Sequence, residues 1–285
     1  METSAGDASA HAAGYDTDRA TLTVRPEAPR AGQPALLIFT LTDASGQPIE
    51  DLMTHHGRKL HVLIVSEDMQ VFGHVHPRDF DESIEHGVAK VSFPFPQAGR
   101  YVVAGDFMSG RGSHTARFIV DVTGVEPAGA PDGAAAPPGV RVVEIEAEDR
   151  YTRPIFLRGA ESTDGYTVSL QKPAEVRAGE PVSLVYRFSR NATPVTDLRP
   201  YLAAPLHLAI VKNDLTQFMH EHGTAAVPGH SGHSGHGDHE SQVPAVFGPE
   251  ITATVTFPEP GTWYVFGQTA RGDKLLNTRS TIEVR

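Results

Sequence analysis

Short runs in which apolar and polar residues alternate recur along most of the chain, each closed by Gly, Pro, Asp or Asn after roughly eight to fifteen residues. A period of two is that of a strand with one buried face. In the first half it marks Ala20 to Val24, Ala35 to Thr42, Leu60 to Val65, Val88 to Phe93, Tyr101 to Phe107 and Thr115 to Val122. About six or seven strands in about 100 residues is the density of a β-sandwich. No segment carries convincing helical periodicity.

The second half repeats the first. PIEDL (Pro48 to Leu52) returns as PVTDL (Pro194 to Leu198), and LHVLIVSEDMQVFGHVH (Leu60 to His76) returns as LHLAIVKNDLTQFMHEH (Leu206 to His222), both at an offset of 146 residues. Gly99-Arg100-Tyr101-Val102-Val103 then matches Gly261-Thr262-Trp263-Tyr264-Val265 at an offset of 162. The 16 added residues surround HSGHSGHGDHE (His230 to Glu240), a Gly/Ser/His tract with nothing to pack a core. The expected organisation is a polar tether at 1–15, a sandwich at 16–123 and a Pro/Ala/Gly-rich linker at 124–139. A second sandwich follows at 140–285, with a leading strand at 140–146 that could bridge the modules and a His-rich surface loop at 228–241. The fold class is all-β, two tandem immunoglobulin-like or cupredoxin-like sandwiches.

Phe93, Tyr101, Phe257, Trp263 and Tyr264 are expected to fill cores, and Gly99 and Gly261 to make turns. Composition narrows the chemistry. With no cysteine among 285 residues, disulfides, thiolate metal sites, iron–sulfur clusters and cysteine nucleophiles are excluded. The formal charge of −11 opposes nucleic acid and anionic lipid, and no apolar run reaches the roughly 20 residues of a membrane helix. What remains conspicuous is 15 histidines.

Six of them occupy equivalent places in the repeated hairpin. If Glu67-Asp68 and Asn213-Asp214 form two-residue turns, His61 faces His74 and His207 faces His220. His76 and His222, two residues on, return to the same face. Three imidazoles then converge in each copy, a donor set that suits copper, zinc or nickel. One histidine at a strand end is ordinarily a solvated or hydrogen-bonded side chain, but a repeat that preserves only a core has no reason to keep three.

Asp106, near the end of a later strand, is a further candidate ligand. Its counterpart is Gln268, so the two sites are expected to differ toward a divalent cation. His55, His56 and His114 are peculiar to the first copy, and Met108 and Met219 could add thioethers for Cu(I). In the His-rich loop, His230, His233, His236 and His239 recur every three residues on a Gly-rich backbone, suited to loose capture of Cu(II), Zn or Ni.

Through HVLIVSEDMQVFGHVHP, HLAIVKNDLTQFMHEH, PVTDLRPYLAAPLH and the pair FPFPQAGRYVVAGDF and FPEPGTWYVFGQT, the chain resembles YtkA-like or heavy-metal-associated bacterial periplasmic and lipid-anchored proteins. The resemblance covers about two thirds of the chain. It implies an immunoglobulin-like or cupredoxin-like sandwich, export to the periplasm or a lipid anchor, and a copper connection through the histidines above. The chain departs from that pattern at Glu221-His222-Gly223, where His-Pro is commoner, and in its His-rich loop.

The function expected on this reading is extracytoplasmic capture, buffering or handover of copper, with zinc and nickel as alternatives and another periplasmic metal-handling protein as partner. The competing readings are a copper redox enzyme like Cu/Zn superoxide dismutase, and a structural or adhesive tandem sandwich without metal. Hydrolysis by Ser113, His114 and Asp106 lacks the turn context of a nucleophile.

Overall fold

In the computed structural model the described residues are 18–55, 57–77, 83–124, 141–146, 155–156, 165–225 and 243–285, with 141–146 and 155–156 described by backbone alone. The expected tether at 1–15, most of the linker, His56 and the His-rich loop lie outside them. The chain divides into two compact units, one of Met1–Ala130 with Tyr151–Pro154, the other of Pro131–Arg150 with Ile155–Arg285.

The first unit holds β1 (Arg19–Arg25), β2 (Pro34–Thr42), β3 (Leu60–Ser66), β4 (Val71–Val75), β5 (Val88–Pro94), β6 (Gly99–Ser109) and β7 (Gly112–Val122). One sheet runs β1-β2-β5, and the other places β7, β6, β3 and β4 side by side. Every pairing is antiparallel. This is an immunoglobulin-like sandwich, and the expected strands fall within one to three residues of the observed ones.

Alternation explains the core. Leu37, Phe39 and Leu41 of β2, Leu60, Val62 and Ile64 of β3, Val91 and Phe93 of β5, and Tyr101 and Val103 of β6 form one buried cluster. In β3 the odd positions, His61 among them, therefore point away from that cluster.

The second unit repeats the plan with β10 (Tyr166–Gln171), β11 (Pro181–Arg190), β14 (Leu206–Lys212), β15 (Phe218–Ala225), β16 (Glu250–Thr256), β17 (Gly261–Arg271) and β18 (Lys274–Val284). Short β12 (Thr193–Pro194) and β13 (Leu198–Arg199) pair with β11 and β17, and β9 is the two-residue Ile155–Phe156. The leading strand, β8 (Arg141–Glu146), pairs antiparallel with β18 as an added edge strand. β15 pairs with β14 through Leu206↔Gly223 to Val211↔Phe218 and, at its far end, with β16 through Thr224↔Thr252 and Ala225↔Ile251. One strand thus joins both sheets.

The two cores use equivalent anchors. Tyr101 donates its hydroxyl to the Gln97 carbonyl at 3.0 Å, and Trp263 its indole N–H to the Glu259 carbonyl at 3.1 Å. Phe93, Tyr101, Phe257 and Trp263 are fully buried, as expected. Tyr264 is not core: it is half-buried, with the Arg279 guanidinium 6.0 Å over its ring. The alternation rule puts it on the face opposite Trp263.

The hairpin turns also differ from expectation. β3 and β4 pair as Leu63↔His74 and Val65↔Phe72, and β14 and β15 as His207↔His222 and Ala209↔His220. The register is thus two residues away from that of a two-residue turn. In each loop the tight turn is closed by Met69 N–H to Ser66 O and by Leu215 N–H to Lys212 O, both at 2.8–2.9 Å. Asp68 and Asp214 accept the N–H groups of Gln70 and Thr216. The positive φ falls on Met69 (56°) and Leu215 (60°), not on the Asn or Asp that ordinarily takes it. Both side chains are buried, at 2% and 5% exposure, and that burial offsets the left-handed backbone.

Candidate metal centres

A two-residue shift preserves faces, so the histidines still converge. His61 Nδ1 lies 3.1 Å from His74 Nε2, His76 Nε2 lies 3.2 Å from His61 Nδ1, and the two Nε2 atoms are 3.2 Å apart. In the second unit His207 Nδ1 is 3.4 Å from His220 Nε2 and 3.1 Å from His222 Nε2. Within each trio all three donor atoms lie within 4.8 Å of one another. The choice of ring atoms is the same in both units.

That choice has a local cause. His61 Nε2 donates to the His55 carbonyl at 2.9 Å, and His207 Nε2 to the Leu202 carbonyl at 3.2 Å, which turns each Nδ1 toward the other rings as an acceptor in the neutral imidazole. Both carbonyls belong to a tight turn just before the strand, closed by His55 with Arg58 and by Tyr201 with Ala204. The edge-on Tyr201 ring, 5.6 Å between centroids, further holds His207. Sequence reading missed these carbonyl anchors, because any residue supplies one.

Three imidazole nitrogens that face one another are three potential electron-pair donors, and a cation at their centre could accept all of them. Donors spaced 3.1–3.2 Å apart lie about 1.8 Å from their common centre, close to the roughly 2.0–2.1 Å of a metal–imidazole bond, so His61 Nδ1, His74 Nε2 and His76 Nε2 would serve as three nitrogen ligands to an ion there.

The centres differ in their surroundings. His61, His74 and His76 are 1%, 2% and 0% exposed, whereas His207 is 2% exposed and His220 and His222 are half-buried. Asp106 stands directly across from His61, and Gln268 directly across from His207. Asp106 is buried and accepts from Thr115 Oγ1 at 2.8 Å, while Gln268 donates Nε2–H to Asn277 Oδ1 at 2.7 Å.

Several sequence-derived candidates are relocated. Asp106 is not one of the clustered donors. It lies on β6, across β3 from the strand that brings His74, so it flanks the triangle without closing it. Met219 packs against the second core, because it alternates with His220 and faces the other way. His55 contributes a backbone carbonyl. His114 belongs to another group: its Nε2 is 3.4 Å from Asp18 Oδ2 and its ring stacks on Phe107 at 5.2 Å. With Asp106 bonded to Thr115 and His114 beside Asp18, Ser113, His114 and Asp106 form no relay. His230, His233, His236 and His239 lie outside the described residues.

Comparison with solved structures returns weak likenesses. Trypsin-activated α2-macroglobulin from Escherichia coli aligns at 10% identity and a TM-score of 0.26, over 94% of this chain and 16% of that one. The Yersinia pseudotuberculosis adhesin InvE aligns at 12% and 0.26, over 95% and 61%. A carbohydrate-binding module of the β-sandwich superfamily aligns at 13% and 0.24, over 95% and 100%. The chain therefore spans less than two thirds of the first two, and scores at this level carry no argument. No curated protein matches the chain. A sequence family does match, over residues 15–124 and 161–285, which is most of both units, and the chain accordingly belongs to the family described as Domain of unknown function (DUF8832).

Proposed function

We propose that this protein binds transition-metal ions at its two histidine triads, copper foremost, and acts in their capture, buffering or handover. The observation that carries this reading is the donor triangle, built twice from the same ring atoms and braced each time by a backbone carbonyl. Imidazole sets suit copper, zinc and nickel, and among divalent ions of the first row a nitrogen site holds Cu(II) most tightly. Zinc and nickel are the alternatives. Neutral nitrogen ligands without thiolate release an ion more readily than a closed structural site does, which suits delivery.

Work outside the cytoplasm, in the periplasm or at the envelope, and exchange with another metal-handling protein are part of the same proposal. Their support is the resemblance of the hairpins to the YtkA-like, heavy-metal-associated group. Among the described residues no helix is long and apolar enough to cross a membrane.

The test is metal stoichiometry of the intact protein against full-length variants with His61, His74 and His76, or His207, His220 and His222, changed to Ala. Each set should remove one equivalent of copper. Unchanged stoichiometry in both variants would end the proposal for the triads, leave the His-rich loop as the ligand set, and favour a structural role for the sandwiches.

A further inference from the structure

Resting on that metal-binding reading, we infer that the two triads are unequal by construction: the second is an exchange site and the first a retention site. Two differences point the same way. The first concerns access. All three rings of the first triad are buried, whereas two of the three in the second are half-exposed, so a competing ligand reaches the second ion without local opening.

The second difference is charge. A cation held by three neutral imidazoles in a buried site is stabilised by an anion nearby. Asp106, across one strand spacing from His61, supplies a carboxylate, and Gln268 in the same place beside His207 supplies none. The side-chain partners differ as well: Thr115 donates to one Asp106 oxygen, whereas Gln268 donates to the neutral amide of Asn277.

The experiment uses the full chain with His230, His233, His236 and His239 changed to Ala, loaded with two equivalents of zinc and mixed rapidly with excess chelating dye. Zinc is chosen because it has no redox chemistry. Release should occur in two phases of one equivalent each, differing in rate by about tenfold or more, the scale on which changes around metal ligands act. H220A/H222A should abolish the fast phase and H74A/H76A the slow one. Asp106→Asn should speed the slow phase, and Gln268→Glu should slow the fast one, with circular dichroism confirming that each variant is folded.

A single phase of two equivalents, or a fast phase that survives H220A/H222A, overturns the inference while leaving metal binding intact. Rates unmoved by both Asp106→Asn and Gln268→Glu overturn its electrostatic part. Failure to take up two equivalents removable by the triad substitutions is a different result: it defeats the functional proposal beneath.

Discussion

His207 and His222 face each other directly across the β14–β15 hairpin, and their Nδ1 and Nε2 atoms meet at 3.1 Å. Ala209, not His207, is the residue opposite His220, so the third ring reaches the same point diagonally. The triad is therefore a property of one hairpin and its register.

Metal should stabilise each unit through its own triad. An ion that binds only the folded form at a free concentration 100 times its dissociation constant adds about 2.7 kcal/mol. Calorimetric melting with Cu(II) or Zn(II) should show an upward shift in the intact chain. In H61A/H74A/H76A the shift should be confined to the transition of the second unit, and persistence in both would contradict the assignment.

Gly73 lies against the ring of Phe93. A Cβ built there would come within 2.5 Å of Phe93 Cε2, a contact the buried ring has no room to relieve. The repeat has solved the same problem in the opposite sense, with Met219 in place of Gly73 and Val255 in place of Phe93. Gly73→Ala should cost about 1–3 kcal/mol in urea unfolding of the first unit. Adding Phe93→Val should recover part of the loss, and strict additivity of the two changes would count against this packing account.

Met69 and Leu215 combine positive φ with burial. Glycine would relieve about 1–2 kcal/mol of left-handed strain but forfeit about 1.5–3 kcal/mol of apolar burial. Met69→Gly and Leu215→Gly should thus each destabilise, by about 1 kcal/mol in denaturant titration. A gain in stability would show that the backbone term dominates.

Asp18 makes the first unit sensitive to acid. Loss of solvent pushes its carboxyl up, but hydrogen bonds from Arg111 and Ser109, with the Arg111 charge and that of His114 when protonated, hold it on balance below the ordinary carboxylate value. A depressed folded value means that the contribution is fully present above about pH 3.9, the unfolded value, and fades as pH falls through the folded one. Arg111 is part-exposed, so solvent screening reduces what the pair contributes. In Asp18→Asn, thermal melts should lose this contribution at pH 7 and converge with the parent as pH falls below the folded value. An Asn variant as stable as the parent at pH 7 would refute it.

Much of this architecture is legible in the residues alone. Period-two alternation locates the strands because each has one face on a core, and the repeated hairpin identifies all six histidines. The register is misread by two places because turn preference points to Asn and Asp, while Met69 and Leu215 take the strained position when their side chains can be buried. For Asp106 the sequence stops short: it puts the residue near the end of a later strand but does not say on which side of β3 that strand lies. The carbonyls of the residues at 55 and 202 are invisible to any reading by residue type, since their identity is irrelevant to what they do.

β15 carries His220 and His222 and is hydrogen-bonded to β14 along most of its length, then to β16 at its far end. A strand stitched into two sheets holds its backbone in place, so the Cα positions of His220 and His222 in the more accessible triad are fixed by both layers. On the proposed reading, capture there would require no folding of a loose segment, and the speed of encounter would be left to diffusion and the shedding of water from the incoming cation. Accessibility and rigidity, which usually trade against each other at a protein surface, are reconciled by a single strand shared between layers.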